Sequence, residues 1–378
     1  MNKETLKKMI IIGAIIIAII LVIFLTIFIM RKINHKDEPP KINMTKYSEK
    51  AIKVMKEENL YEKLKNKEYS KTIEVVLEDK LFNEKYLNEY HKINYHNINN
   101  FSETINSFLT KHYTGEEINY ILKNLNEYIN ILLNMDHINI LEYKDISNFN
   151  INKLERYINY QKENTKYDTK TVVTYVNIGL DLKGYSSYNT YTTDEAENNL
   201  SILVNKYHKL PDNYEPSDLT ELSYKNGNYK YLLRKEAAEA FEKLTSAALL
   251  DNVIFYPFSA YRSFETQNIL YSRYKNRDGE EKADTYSARP GFSEHQLGLA
   301  VDVRSNTLGD NLTNEHYKWM LENSYKYGFI VRYPKGKQHV TQFMEEPWHI
   351  RYLGIDLATK VHDSGLTYDE YYDLHISN

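Results

Sequence analysis

The sequence predicts an α+β fold: a small, mostly antiparallel sheet with flanking helices, preceded by an all-α spacer and one transmembrane helix. Three observations carry this reading. An apolar run spans residues 9–30 of the 378-residue chain. Behind it glycine and proline almost vanish, with only Gly115 between residues 14 and 178 and no proline between 41 and 210. Beyond residue 226 lie nine of the 13 glycines and both tryptophans, among short apolar runs and amphipathic segments. Turn-forming composition confined to the C-terminal third excludes a uniform solenoid over the whole chain.

The elements follow in order. A leader of residues 1–8 is too short to fold. Met9 to Met30 contains only Gly13 and Thr26 as mildly polar members. At about 1.5 Å per residue it reaches across a bilayer. A cleaved signal peptide has a shorter apolar core and a small-residue cleavage site. This run ends instead in Phe28-Ile29-Met30-Arg31-Lys32, so an uncleaved anchor is expected. Lys3, Lys7 and Lys8 precede it and Arg31, Lys32 and Lys36 follow, so flanking charge leaves the orientation open.

Residues 31–170 read as a helical spacer that leaves the membrane through the stiff pair Pro39-Pro40. Ile118, Ile121, Leu122, Leu125, Ile129 and Leu132 recur at helical spacing, and Thr114 with Glu117 forms a capping box. Ser70 opens a similar helix carrying Ile73, Val76, Leu77 and Leu81. Glu-Tyr-Ser at 68–70 resembles His-Tyr-Thr at 112–114, and Ile-Asn-Asn-Phe at 98–101 resembles Ile-Ser-Asn-Phe at 146–149. Two weak helical repeats are therefore expected, serving as a plain stalk or as a module that binds wall or partner. From 171 to 378 a separate domain is expected. Val172 to Asp181 alternates and is β-branched, which predicts a strand. Leu210 to Pro216 is turn-rich. Arg234 to Leu250 is an amphipathic helix with Ala237, Ala240, Phe241, Leu244 and Ala248 on one side. A strand over Val253 to Phe258 and a helix over Glu265 to Tyr274 follow.

Composition bounds the chemistry. A net charge of −4 argues against a nucleic-acid partner, and the absence of cysteine excludes disulfides, thiolate ligands and a cysteine nucleophile. His295 and Asp302 stand seven apart with Gly298 between them. Leu299 to Val303 alternates like a strand, placing Ala300, Asp302 and Arg304 on one face and Leu299, Val301 and Val303 on the other. A carboxylate in such a strand needs a strong partner, because burying it unpaired is costly. His295, just before the glycine turn, can fold back over the same face. His349 lies in a second short apolar strand, Trp348 to Leu353. Two imidazoles and one carboxylate make a three-ligand zinc set with a fourth position for water. Pro347 interrupts any helix shared by Glu346 and His349, yet an extended or turned Glu-Pro-Trp-His still aims both into one cleft. A carboxylate beside a zinc-bound water suits a general base. Singly, each residue has a plainer role: a structural histidine, a strand aspartate paired with Arg262 or Arg304, a surface glutamate. Their joint occurrence in one turn-rich domain favours a site.

Ser-x-Tyr-Arg-Ser-x(3)-Gln at 259–267, Ser-Glu-His-Gln-x-Gly-Leu-Ala-Val-Asp at 293–302 and Glu-Pro-Trp-His-x-Arg-Tyr at 346–352 resemble the VanY-type zinc D-alanyl-D-alanine carboxypeptidases. VanX-like dipeptidases and L,D-carboxypeptidases belong with them. The resemblance covers roughly residues 200 to 370. It implies that His295, Asp302 and His349 bind one zinc ion, that Glu346 is the catalytic base, and that Arg262 contacts the substrate near the scissile bond. Gln267 and Ser293 match positions lining the substrate site, and Trp348 joins them from within the third motif. The implied substrate is a peptidoglycan stem peptide, which lies outside the cytoplasmic membrane. That sets the expected topology: N-terminus inside, catalytic domain outside. Removal of D-Ala from pentapeptides, L,D-carboxypeptidase action on tetrapeptides and endopeptidase action on cross-links stay open, as does a wall-binding protein without turnover.

Overall fold

A computed structural model describes residues 46–224, 226–306 and 312–377. The proposed leader and anchor lie outside these residues. Among the described residues no helix is long and apolar enough to cross a membrane. The chain divides into two compact units, one ending at Glu142 and the other running from Tyr143 to the C-terminus.

The first unit is helical throughout its described part. Ser70 caps the helix Lys71–Glu78, its hydroxyl accepting from the Ile73 N–H. Thr114 caps Gly115–Asn124 with both bonds of the capping box in place. That helix stops at Leu125, whereas the sequence periodicity carries it on to Leu132. A short 3₁₀ turn, Asn126–Tyr128, intervenes before the helix Ile129–Asn134. Asparagines on both sides of Leu125 favour such a break, because their side chains compete with helical backbone bonds. Of the matched segments, 70 and 114 are both helix caps. Phe101 opens a helix, whereas Phe149 lies in a loop.

A finer recurrence is visible in the hydrogen bonds. The Asn83 N–H donates to the Tyr90 hydroxyl, Tyr90 donates to Asn106, and the Asn106 amide donates to the Leu81 carbonyl. In the second unit the Asn150 N–H, the Tyr157 hydroxyl, Asn177 and the Asn148 carbonyl repeat the same circuit. Both tyrosines are fully buried.

The second unit begins with helices Leu154–Glu163 and Thr169–Asn177. The boundary expected at 170/171 falls inside the latter. The strand expected over Val172 to Asp181 is not formed. Asp168 caps a helix there by accepting from the Thr171 N–H, and Val172 to Val176 are all buried, so no face is left to solvent for an alternating strand pattern to mark. The amide of Asn148 donates to Asp373 at 2.6 Å, tying this start to the C-terminal helix Tyr368–His375.

The site rests on a four-stranded antiparallel sheet: β1 Tyr256–Ser259, β2 Ala300–Arg304, β3 Phe329–Tyr333 and β4 Glu346–Tyr352, in spatial order β1-β2-β4-β3. Two short ribbons, 189–190 with 208–209 and 219–221 with 232–234, complete a mixed α+β unit. Strict alternation gives the sheet two faces. Val301, Val303, Phe329, Ile350 and Tyr352 face a core completed by Phe241 and Leu244 of the helix Lys235–Leu250. Asp302 and His349 face the other way.

Candidate active site

Register places the principal groups. Asp302 on β2 is directly opposite His349 on β4 and is flanked on its other side by Ser259 of β1. His295 enters from a 3₁₀ turn, Glu294–Leu297, which Gly298 ends in the left-handed region at φ +65°. A side chain at 298 would meet Leu219 at 2.9 Å, so both conformation and space require glycine. The turn returns His295 over the face of Asp302, as the spacing predicts.

The ring orientations are fixed by their outer partners. His295 Nδ1 lies 2.8 Å from the Ala260 carbonyl and must donate to it, which leaves Nε2 as the free lone pair, 3.2 Å from Asp302. His349 presents Nδ1 at 3.0 Å from Asp302 and Nε2 at 3.2 Å from Glu294. Ligand atoms of His295, Asp302 and His349 lie within 4.8 Å of one another, and all three residues are buried. Two imidazoles with inward lone pairs and one carboxylate suit a tetrahedral divalent ion with an open position. Outer carboxylates and carbonyls of this kind set ligand tautomers.

The electrostatics agree. Burial would raise Asp302, but the two histidines hold its carboxyl well below the usual range. Burial would lower His349, yet hydrogen bonds to Asp302 and Glu294 raise it to about 9. A proton and a metal cannot share Nδ1, so metal uptake displaces that proton. Burial pushes the Glu346 carboxyl up to about 7. A cation held by the three ligands would lower that value. Glu346 reaches within 3.9 Å of His349 Nδ1, which puts a carboxylate at the edge of the three-residue cluster.

Arg262 approaches from the β1 side. Its Nη2 donates to Ser259 at 2.8 Å and lies 3.8 Å from Asp302, and its Nη1 donates to Gln267. Gln267 is buried and donates in turn to the Ala288 carbonyl at 2.6 Å. Gln267 therefore orients Arg262. Arg262, Gln267, Ser293, Glu346 and Trp348 all line one cleft of about 620 Å³ together with the three ligands.

Sequence reasoning missed Glu294. It is fully buried and accepts from Arg332 at 2.9 Å and Arg351 at 3.1 Å as well as meeting His349. Arg332 also donates to Asp369 at 2.6 Å. Burial opposes ionisation of Glu294, but the two guanidiniums hold its carboxyl far below the usual range. The available signal was its place: an acid beside His295 within a buried run. Tyr333, whose ring lies 5.1 Å from that of His349, was missed as well.

Residues 230–355 match the family model described as VanY, D-alanyl-D-alanine carboxypeptidase. The Bacillus subtilis protein YodJ is 41% identical over 191 residues, which cover 48% of this chain and 70% of YodJ. The chain belongs to the VanY carboxypeptidase family. A D-alanyl-D-alanine carboxypeptidase of Enterococcus faecalis is 38% identical over 187 residues, covering 47% of this chain and 67% of that protein. A solved structure of the D,D-pentapeptidase VanY with Zn(II) is 38% identical and covers 45% of this chain and 97% of that one, at a TM-score of 0.40. The part shared with the VanY family contains every residue of the ligand set, Glu346 and Arg262.

Proposed function

We propose that this protein is a zinc carboxypeptidase that removes a C-terminal D-amino acid, D-Ala, from peptidoglycan stem peptides. The observation that carries this is the convergence of His295, Asp302 and His349 in one cleft with Glu346 beside them. The substrate class follows from the named activity of the VanY family and of the Enterococcus faecalis relative. Zinc is the metal the donor set suits. When bound, it would acidify a coordinated water and polarise the scissile carbonyl. Glu346 accepts the proton of the attacking water and delivers it to the departing amine. Its buried setting raises its proton affinity, which opposes the lowering that a neighbouring cation would cause. Arg262, held by Ser259 and Gln267, presents a fixed cation to the oxygen on which negative charge develops. Glu294 and the Ala260 carbonyl hold the two imidazoles in their working tautomers. Trp348 and Ser293 form part of the wall against which the peptide lies.

An L,D-carboxypeptidase acting on tetrapeptides would use the same centre, because specificity resides in the cleft walls. Location follows from the substrate. The run 9–30 is proposed to anchor the chain with its catalytic unit outside the cytoplasmic membrane. Incubating the zinc-loaded full chain with penta- and tetrapeptides, followed by mass spectrometry, tests the proposal. Loss of one D-Ala from the pentapeptide is expected. Loss from the tetrapeptide alone would move the assignment to L,D-carboxypeptidase, and loss from neither would refute it.

A further inference from the structure

The cleft contains a cation for which the catalytic steps have no use. Arg304 lies two residues beyond Asp302 on the same face of β2, about 7 Å further along the strand. Its Nε and Nη2 are buried with no hydrogen-bond partner. Asp302 takes its guanidinium contact from Arg262 instead, at 3.8 Å. The ring of Phe258, itself 58% exposed, lies 5.4 Å from the guanidinium carbon of Arg304. The acidic residues lining the cleft, among those described, are Glu294, Asp302 and Glu346. Glu294 is spent on Arg332 and Arg351, Asp302 on the metal ligand set, and Glu346 is the base. Arg304 therefore presents an uncompensated charge to the cleft. A guanidinium partly withdrawn from water without an anion is unfavourable, and its planar fork matches a carboxylate.

We propose that Arg304 receives a second carboxylate of the substrate, two or three residues before the scissile bond of a pentapeptide and one or two before that of a tetrapeptide, and so selects acidic wall peptides. This rests on the carboxypeptidase reading above. A departing D-Ala carries only its own terminal carboxylate, so a second one belongs to the retained part. In stem peptides two groups supply that chemistry: the α-carboxylate of a γ-linked D-glutamate and the side-chain carboxylate of a diaminopimelate residue. Arg304 is thereby a specificity-determining residue that takes no part in bond cleavage.

The test compares matched peptides on the zinc-loaded full chain. One pair differs only in free D-glutamate against its α-amide, the other only in diaminopimelate against lysine, each as penta- and tetrapeptide. The wild type should favour one acidic member by about tenfold in kcat/KM, the usual scale for one charge-assisted hydrogen bond. Arg304→Gln should erase that preference by slowing the acidic substrate alone, and Arg304→Lys should keep part of it. Which pair responds identifies the carboxylate. Calorimetric binding of the retained-product peptides, acid against amide or lysine form, makes the same comparison without turnover. An absence of hydrolysis would therefore count against the carboxypeptidase reading, while the binding preference would still decide the role of Arg304. No acidic preference in the wild type, or an equal loss on acidic and neutral members in Arg304→Gln, would overturn the proposal.

Discussion

At the scale of single residues the site separates groups that react from groups that hold them. Glu346→Gln should leave the three ligands intact and lower turnover by roughly 10²–10⁴-fold, the range for losing a positioned acid–base group. Metal analysis beside a hydrolysis assay checks both halves. His349→Ala should lose the metal, and full occupancy in that variant would contradict its role. Glu294→Gln reports on the outer partner. It removes the charge that meets His349 Nε2, and metal affinity should drop about 10–100-fold. It also takes from the buried Arg351 its carboxylate and leaves Arg332 with Asp369 alone. The variant should therefore unfold at lower temperature too, by an amount equivalent to several kcal/mol. Unchanged metal affinity in a folded Glu294→Gln protein would show that His349 is oriented without it.

At the scale of elements, β2 and β4 explain why so much of the site was legible. Alternation over 299–303 fixed which face Asp302 occupies, and Gly298 marked the turn that returns His295 to it. Glu346 and His349 were expected to share a cleft through extended chain, and β4 provides it. Glu294 could not be read the same way, because its partners Arg332 and Arg351 come from β3 and β4, and Arg332 is shared with Asp369 of the C-terminal helix. Local pattern also failed at 172–181. β-branched residues there alternate well enough for a strand, but every residue from Val172 to Val176 is buried, and the Asp168 cap starts a helix. Asp168→Ala should cost about 1 kcal/mol in thermal unfolding, as loss of an N-cap does. If that change costs nothing, the cap is not what selects the helix.

At the scale of the whole molecule, the sequence drew its main boundary from glycine and proline content, and the compact units divide earlier, at Glu142 and Tyr143. Composition registers where turns are needed, not which helices share a core. The helix at 169–177 looks like the spacer in composition yet bonds to the C-terminal helix through Asn177 and Asp373, a carboxylate that the loop residue Asn148 also reaches. The buried Tyr–Asn circuits at Tyr90 and Tyr157 should therefore have different consequences. Tyr90→Phe should destabilise the first unit by about 1–3 kcal/mol, by leaving the Asn83 N–H and the Asn106 side-chain oxygen unpaired, without changing hydrolysis. Tyr157→Phe should destabilise the unit that contains the active site. The central claim concerns that unit: zinc ligands and a carboxylate base act together on a D-terminal wall peptide. The most direct measurement is mass spectrometry of stem peptides after incubation with zinc-loaded wild-type chain and with equally zinc-loaded Glu346→Gln. The account predicts release of one terminal D-Ala by the wild type and almost none by the variant. Equal release by both, or none by the wild type, would contradict it.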